Sequence, residues 1–293
     1  MAQVVLIGQL RKWKALGIMS KQWKQDYEEQ LSKAEKSILP SVSRFYKSNY
    51  YKGIDNFIES GSTNYQVLFN YGDLEKLYID IYEKVAMRFA KWYARYFDKY
   101  EQKGTDPNKF ITVWLLAFNN YAKQNAATNV VLVSGTAKKT LIRVTQRLMS
   151  DPDFAVRGAD EKARILRKQF NRYTRYQALR LVRTESAKAG NYGIEQSATK
   201  VYAGRKLKKR WMTSMDGRER EAHGRANGQE VDFDKPFNVG GEYIKRPGEG
   251  SAKNVVNCRC SMFPFPVPEP PNPLANIGEL ATGIIAGSSI TTD

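Results

Sequence analysis

A chain of 293 residues can bury a substantial core and has room for two domains. Its 42% hydrophobic content excludes a wholly disordered polymer. Its formal net charge is +17, from 47 Lys and Arg against 30 Asp and Glu, and this favours a polyanionic partner, because displacing counterions from phosphates drives binding. The two cysteines, Cys258 and Cys260, are one residue apart, too close for an unstrained bridge. They supply no disulfide framework, and the chain reads as the product of a reducing compartment. No run of about 18 apolar residues occurs, so no membrane partner is expected. The opening MAQVVLIGQLRKWK has an apolar run, but no charged region precedes it and no small-residue cleavage site follows, so it does not read as a signal peptide.

From residue 9 the pattern is helical. Trp13, Leu16, Trp23, Tyr27 and Leu31 recur at helical spacing, and Pro40 is expected to end that helix. A second helix follows to Ser60, closed by Gly61 and Ser62. The strongest helical stripe begins at Gly72, with Asp73 as the expected N-cap. Leu74, Leu77, Tyr78, Ile81, Val85, Phe89, Trp92, Tyr93 and Tyr96 share one face, ending near Gly104. Aromatics at that period point to a packed core rather than to base stacking. Asp106-Pro107 has the form of a cap followed by proline at the first helical position. Ser134 or Thr136 is the expected cap of a further helix, which Asp151-Pro152 breaks. Residues 160–202 read as one or two more helices.

Positive charge concentrates in residues 154–210, where sixteen Lys and Arg face four Asp and Glu, a net +12. Arg167, Lys168, Arg172, Arg175 and Arg180 suit a helical face that tracks phosphates, and they are the candidate DNA-facing residues.

After Gly204 the composition changes sharply. KLKKRWMTSM reads as a strand, residues 216–224 as a short helix or turn, GQEVDFDKPF as a second strand and NVGGEYIKRPGEGS as a hairpin or loop. VVNCRCSMF is the expected last strand. From Pro264 the prolines exclude a central strand and favour an extended arm, with a mobile small-residue end that a partner would have to hold. The predicted fold class is therefore mainly α with a small C-terminal antiparallel β unit (α+β). The expected divisions are a helical region over 1–105, a domain of helices followed by the β unit over 106–265, and a proline-rich tail over 266–293.

Residues 211–260 hold the single histidine, His223, and both cysteines. Imidazole plus two thiolates is the ligand chemistry of tetrahedral zinc, so zinc is the candidate cofactor. Asp216, seven residues before His223, is the candidate fourth ligand. A thiol–imidazole pair is the catalytic alternative, with nothing in the sequence to orient it. No phosphate-cradling glycine loop and no nucleophile elbow is present, and the chain is not expected to be an enzyme. The reading that residue chemistry alone favours is a purely structural β unit, its glycines and prolines setting tight turns.

The ordered series Arg183-Thr184-Glu185, Ala187, Asn191, Trp211, Thr213, Asp216, Arg218, His223, Gly228-Gln229, Val231, Phe237, Gly240-Gly241, Pro247-Gly248 and Asn257-Cys258-Arg259-Cys260 resembles the phage Mu F-like minor head proteins. The resemblance covers about residues 110–265. It implies a minor capsid protein of a tailed bacteriophage, inside the head near the portal and in the host cytoplasm during assembly. The implied role is in head morphogenesis and in DNA packaging or delivery. The implied partners are the portal protein, packaged double-stranded DNA and other head proteins. The alternatives from other classes are a nucleic-acid-acting metal enzyme or toxin domain, and a free nucleic-acid-binding module. Arg183, Glu185 and Trp211 would be structural. Arg183 and Glu185 lie two apart on a helix and face different ways, so each needs its own partner, expected in the 211–260 unit. A buried Arg–carboxylate pair joining helix to β unit would be costly to break.

Overall fold

The computed structural model describes residues 2–65, 68–101, 105–214 and 217–267. Helix α1 (Ala2–Ser60) and helix α2 (Tyr71–Glu101) are followed by a 3-10 turn (Pro107–Phe110), α3 (Ile111–Met149), α4 (Pro152–Ala155) and α5 (Ala159–Val201). The β unit then comprises β1 (Leu207–Met212), α6 (Glu221–Ala226), β2 (Glu230–Asp232), β3 (Phe237–Val239), β4 (Glu242–Ile244), α7 (Ala252–Val255) and β5 (Ser261–Pro266). The molecule is mainly helical with a small antiparallel β unit, as the composition change after Gly204 predicts. No helix among the described residues is long and apolar enough to cross a membrane.

Several expected boundaries move. Pro40 does not end a helix; α1 runs through it. Pro40 is exposed, so the Lys36 carbonyl it leaves without a helical donor faces solvent, while Ile38 and Val42 beside it are fully buried. No cap forms at Ser134 or Thr136, because α3 is continuous, and Ala137 and Leu141 hold that stretch in the core. The cap of α2 is Asn70, whose Oδ1 accepts from the Asp73 N–H at 2.8 Å. The Asn70 amide donates back to Asp73 at 3.0 Å, so the expected cap residue serves as its reciprocal partner. The expected cap at Asp106-Pro107 and the expected break at Asp151-Pro152 both form, each Asp side chain accepting from the N–H two residues on.

Helix α5 is the axis on which α1, α2, α3 and β5 pack. Its C-terminal half is buried on nearly every side, and the residues that allow this are small: Ala187, Ala189, Gly190, Gly193, Ser197 and Ala198. At Gly193 a Cβ would lie 2.2 Å from the Ala86 carbonyl oxygen of α2, so only glycine fits that crossing. Ser197 Oγ donates to Ala90 O at 2.8 Å along the same contact. Around Trp23 of α1 the aromatics interlock: its ring lies 4.6 Å from Trp92, 5.2 Å from Tyr96 and 5.0 Å from Phe263 of β5. Its Nε1 donates to Ser261 Oγ at 3.0 Å. One core therefore runs from α1 through α2 and α5 into β5.

The sheet order is β2-β1-β5, all antiparallel, with Trp211 opposite Met262 and Lys208 opposite Asp232. Strands β3 and β4 form a separate hairpin turning at Gly240-Gly241. The last strand begins at Ser261, later than expected, and continues through Pro264 to Pro266. It does so as an edge strand. The Val267 N–H donates to Lys206 O at 2.9 Å, so the odd positions bond toward β1 and the even prolines face away. The outward Pro264 carbonyl instead accepts from Tyr93 OH at 3.2 Å. The expected extended arm beyond residue 267 and the helix end at Gly104 lie outside the described residues.

Glycine placement gives a direct test. Gly193→Ala should lower unfolding free energy by about 3 kcal/mol or more, since backbone rather than a movable side chain blocks the new methyl group. Gly135→Ala, in α3 with nothing within 4 Å of the new Cβ, should raise it by about 0.5–1 kcal/mol. Denaturant titration of the two variants reads both signs.

Candidate functional site

The functional side chains come from three places: the exposed face of α5, the turn and helix after β1, and the loop entering β5. On α5, Arg164, Lys168, Arg172, Arg175 and Arg183 recur at helical spacing and are exposed, forming a stripe whose span from 168 to 183 is about 22 Å. Arg180 is also exposed but lies off that line. Arg167 is engaged elsewhere: it pairs with Asp55 of α1 at 2.5 Å and stacks over the Tyr51 ring at 5.2 Å. Of the five candidate DNA-facing residues, four are therefore exposed, and the charge of Arg167 is offset locally.

The Arg183 end of the stripe opens into a cleft of about 480 Å³. Arg183, Arg218, Arg220 and Arg259 line it against two acids, Glu28 and Glu219. His223, Cys258 and Cys260 line the same cleft. Arg220 donates to Val256 O at 2.6 Å, and Arg259 pairs with Glu35 of α1 at 2.8 Å, so both guanidinium groups brace the loop between α7 and β5.

His223 sits on α6, held by Thr213, whose Oγ1 donates to the His223 carbonyl at 2.7 Å. Its ring stands edge-on to Trp211 at 5.5 Å, and Trp211 in turn packs against Phe237 at 5.4 Å. Trp211 Nε1 donates to Thr213 Oγ1 at 3.1 Å, so one threonine ties the tryptophan to the helix. Nδ1 of His223 lies 3.3 Å from Cys260 Sγ and 3.7 Å from Cys258 Sγ. Nε2 lies 3.3 Å from Asn254 Oδ1. All three ligand-type side chains are buried, their donor atoms lying within 4.8 Å of one another. A hydrogen bond from the Cys260 thiol holds Cys258 well below the usual thiol range; the same bond and burial push Cys260 well above it. Asp216 lies outside the described residues.

The cysteines lie in a loop, not in the expected strand. Asn257, at φ 57, turns the chain just before Cys258. The turn is tied to α5: Asn257 N–H donates to Thr184 Oγ1 at 3.1 Å. Asn191 of α5 donates to Cys260 O at 3.0 Å and accepts from Met262 N–H at 2.8 Å. The three consecutive residues 183–185 thus face three surroundings. Arg183 lines the cleft, Thr184 anchors the cysteine loop, and Glu185 is buried against α2.

Glu185 does not reach the β unit as expected. Its two oxygens accept from Tyr78 OH and Tyr82 OH, each at 3.2 Å. The buried Arg–carboxylate pair joining helix to β unit does exist, but between other residues. Glu195 of α5 is 4% exposed and bonds Arg246, 3% exposed, which also bonds Glu249. Arg246 lies over the Tyr121 and Tyr192 rings at 5.0 and 4.7 Å. Beside it, Gly248 at φ +93 brings the loop so close to α5 that a Cβ would sit 2.6 Å from Lys188 Cα. Sequence reasoning missed Glu195 and Arg246, which stand 51 residues apart with no spacing that links them. It also missed Asn254, Glu242 and the buried Lys209.

Arg246→Ala should cost about 3–5 kcal/mol, because Glu195 is left buried without its main partner. The double variant Glu195→Gln with Arg246→Met should recover a large part of that loss in denaturant melts. Lys209 is fully buried, donates to Lys245 O at 2.7 Å and has its pKa lowered to about 8 by burial. The unfolded chain titrates this lysine near its ordinary value of about 10.4 and so binds more protons above pH 8. Stability should therefore rise with pH between about 8 and 10, by at most about 1.4 kcal/mol per pH unit, and Lys209→Met should remove that rise. Above about pH 10 the buried phenols oppose it: burial raises Tyr27, Tyr78 and Tyr82, so their unfolded forms ionise first.

Residues 154–263 match the family described as phage Mu protein F like protein. The NAD(+)--arginine ADP-ribosyltransferase EFV of Enterococcus faecalis is 34% identical over 87 residues. That likeness takes in 29% of this chain and 18% of the enzyme, so the chain spans less than a fifth of that relative's length. No solved structure matches the chain significantly. The matched segment begins in α4, takes in all of α5 with its basic stripe, and ends in β5 beyond the cysteine loop; it is over residues 154–263 that the chain is similar to the phage Mu protein F-like family.

Proposed function

We propose that the chain is a minor head protein of a tailed bacteriophage, placed inside the head near the portal and contacting packaged DNA through α5. The observation that carries this reading is that one segment, 154–263, holds both the Mu F-like match and the exposed basic stripe. A row of exposed Lys and Arg on a rigid helix suits a phosphate backbone and reads no sequence. The helical body of α1 and α2 offers the portal and other head proteins a separate surface. The likeness to the ADP-ribosyltransferase covers too little of that enzyme to bring its activity here. We read it as a shared module, and the role of this chain as structural rather than catalytic.

Mass spectrometry of purified heads should find the protein in far fewer copies than the major capsid protein, and heads assembled without the portal should lack it. Its absence from heads that contain the portal would overturn the reading. The DNA contact has its own measurement. Duplex binding should weaken steeply with salt, and replacing Lys168, Arg172 and Arg175 by Gln should flatten the log–log slope by up to about 3, near one unit per lost phosphate contact. No duplex affinity at low salt would sink the DNA contact and leave the head assignment to the first experiment.

A further inference from the structure

We propose that His223, Cys258 and Cys260 bind one zinc ion, which ties α6 to the loop entering β5. Neither the family match nor the bacterial relative assigns a metal to this chain, and the inference is independent of any role in a head.

The first argument is geometric. A tetrahedral zinc ion with nitrogen at about 2.0–2.1 Å and sulfur at about 2.3 Å places nitrogen and sulfur about 3.5 Å apart. The two distances from His223 Nδ1, 3.3 Å to Cys260 Sγ and 3.7 Å to Cys258 Sγ, bracket that value. The second argument is orientation. Asn254 uses its Nδ2 to donate to Glu242 Oε2 at 2.6 Å, which leaves its Oδ1 toward the ring. An amide oxygen only accepts, so Nε2 carries the proton and the Nδ1 lone pair faces the two sulfurs. Glu242 is itself fixed by Ser251, whose N–H and Oγ both bond it. A histidine held through its remote nitrogen by a carboxylate-backed partner is the arrangement that orients metal-binding imidazoles. The third argument is the donor set. Two sulfurs and one nitrogen suit zinc and disfavour magnesium and calcium, which take oxygen.

The position also makes physical sense. His223 and the cysteines come from segments more than thirty residues apart, and Cys258 and Cys260 share a small core with Trp211, Phe237 and Ile244. That core is too small to hold α6 and the loop strongly by burial alone. An ion bound by both would add a cross-link, and the cleft that the three ligand side chains line gives the ion a path in. Three protein ligands leave a fourth position for water or another oxygen donor.

The test uses the full chain. Elemental analysis of wild-type protein supplied with zinc and then desalted should find about one zinc per chain, and Cys258→Ser or Cys260→Ser should bind less than about a tenth of that. Because those variants can lose their fold, the wild type supplies a second readout. With zinc, both thiols should resist iodoacetamide; after chelation both should react, and the melting temperature should fall by about 5 °C or more. Cobalt in place of zinc should show a sulfur-to-metal charge-transfer band. Wild-type protein that takes up less than about a tenth of an equivalent, or alkylates at one rate with and without zinc, overturns the proposal. So does uptake of copper or iron with zinc excluded.

Discussion

The fold depends on how one buried amide, Asn191, spends its hydrogen-bonding groups. Its side chain is fully enclosed on α5. The Nδ2 group reaches Ala187 O at 2.9 Å within the helix, Cys260 O at 3.0 Å in the loop and Tyr27 OH at 3.2 Å on α1. The Oδ1 atom accepts from Met262 N–H at the start of β5. An amide that loses such partners is left buried and unsatisfied, at a cost of about 1–3 kcal/mol for each group. Asn191 thereby fixes the height of the cysteine loop on α5 and starts β5 in register with β1. Thr184 does the same about two turns earlier by holding Asn257. The position of both sulfurs relative to His223 follows from these two anchors.

Close approach makes such short polar side chains sufficient. Glycine and alanine on α5 let α2 and the 246–249 loop come to backbone contact, as the Gly193 and Gly248 crossings show. The same crowding encloses Glu195 and Arg246, whose pairing joins the helix to the β unit. A buried pair of this kind adds little net stability over an apolar substitute, but it penalises any other docking of the two parts. Trp211 works at the next level out, carrying the contact from β1 to His223 and to the β3–β4 hairpin.

The charge of the chain is sorted rather than spread. Several acids are drawn into pairs that brace the fold: Glu35 with Arg259, Asp55 with Arg167, Glu195 with Arg246 and Glu230 with Arg210. The exposed basic residues of α5 include Lys168, Arg172, Arg175 and Arg183 along one line, with Arg180 beside it, leading into a cleft rich in arginine. A surface arranged this way presents positive charge along one line, which a uniformly basic coat would not. The Mu F-like match and that line occupy the same stretch of chain, so the fold and the charge pattern serve one module.

The sequence by itself determined the helical class, the aromatic stripe of α2, the cap at Asp106, the break at Asp151-Pro152, the turn at Gly240-Gly241 and the Mu F-like resemblance of residues 154–263. These are local properties: side-chain period, turn chemistry and an ordered motif are written in neighbouring residues. It misread Pro40 as a helix end and Ser134 or Thr136 as a cap, because local propensity was outweighed by burial of Ile38, Val42, Ala137 and Leu141 against distant helices. It grouped His223 with Cys258 and Cys260 from residue chemistry, yet placed the cysteines in a strand, since nothing local reveals that Thr184 and Asn191 hold that segment as a loop. It anticipated a buried Arg–carboxylate link but named the wrong residues. Which charges end up buried together is decided by pairs such as Glu195 and Arg246, 51 residues apart, and only tertiary packing brings such partners within reach and removes the water that would otherwise screen them.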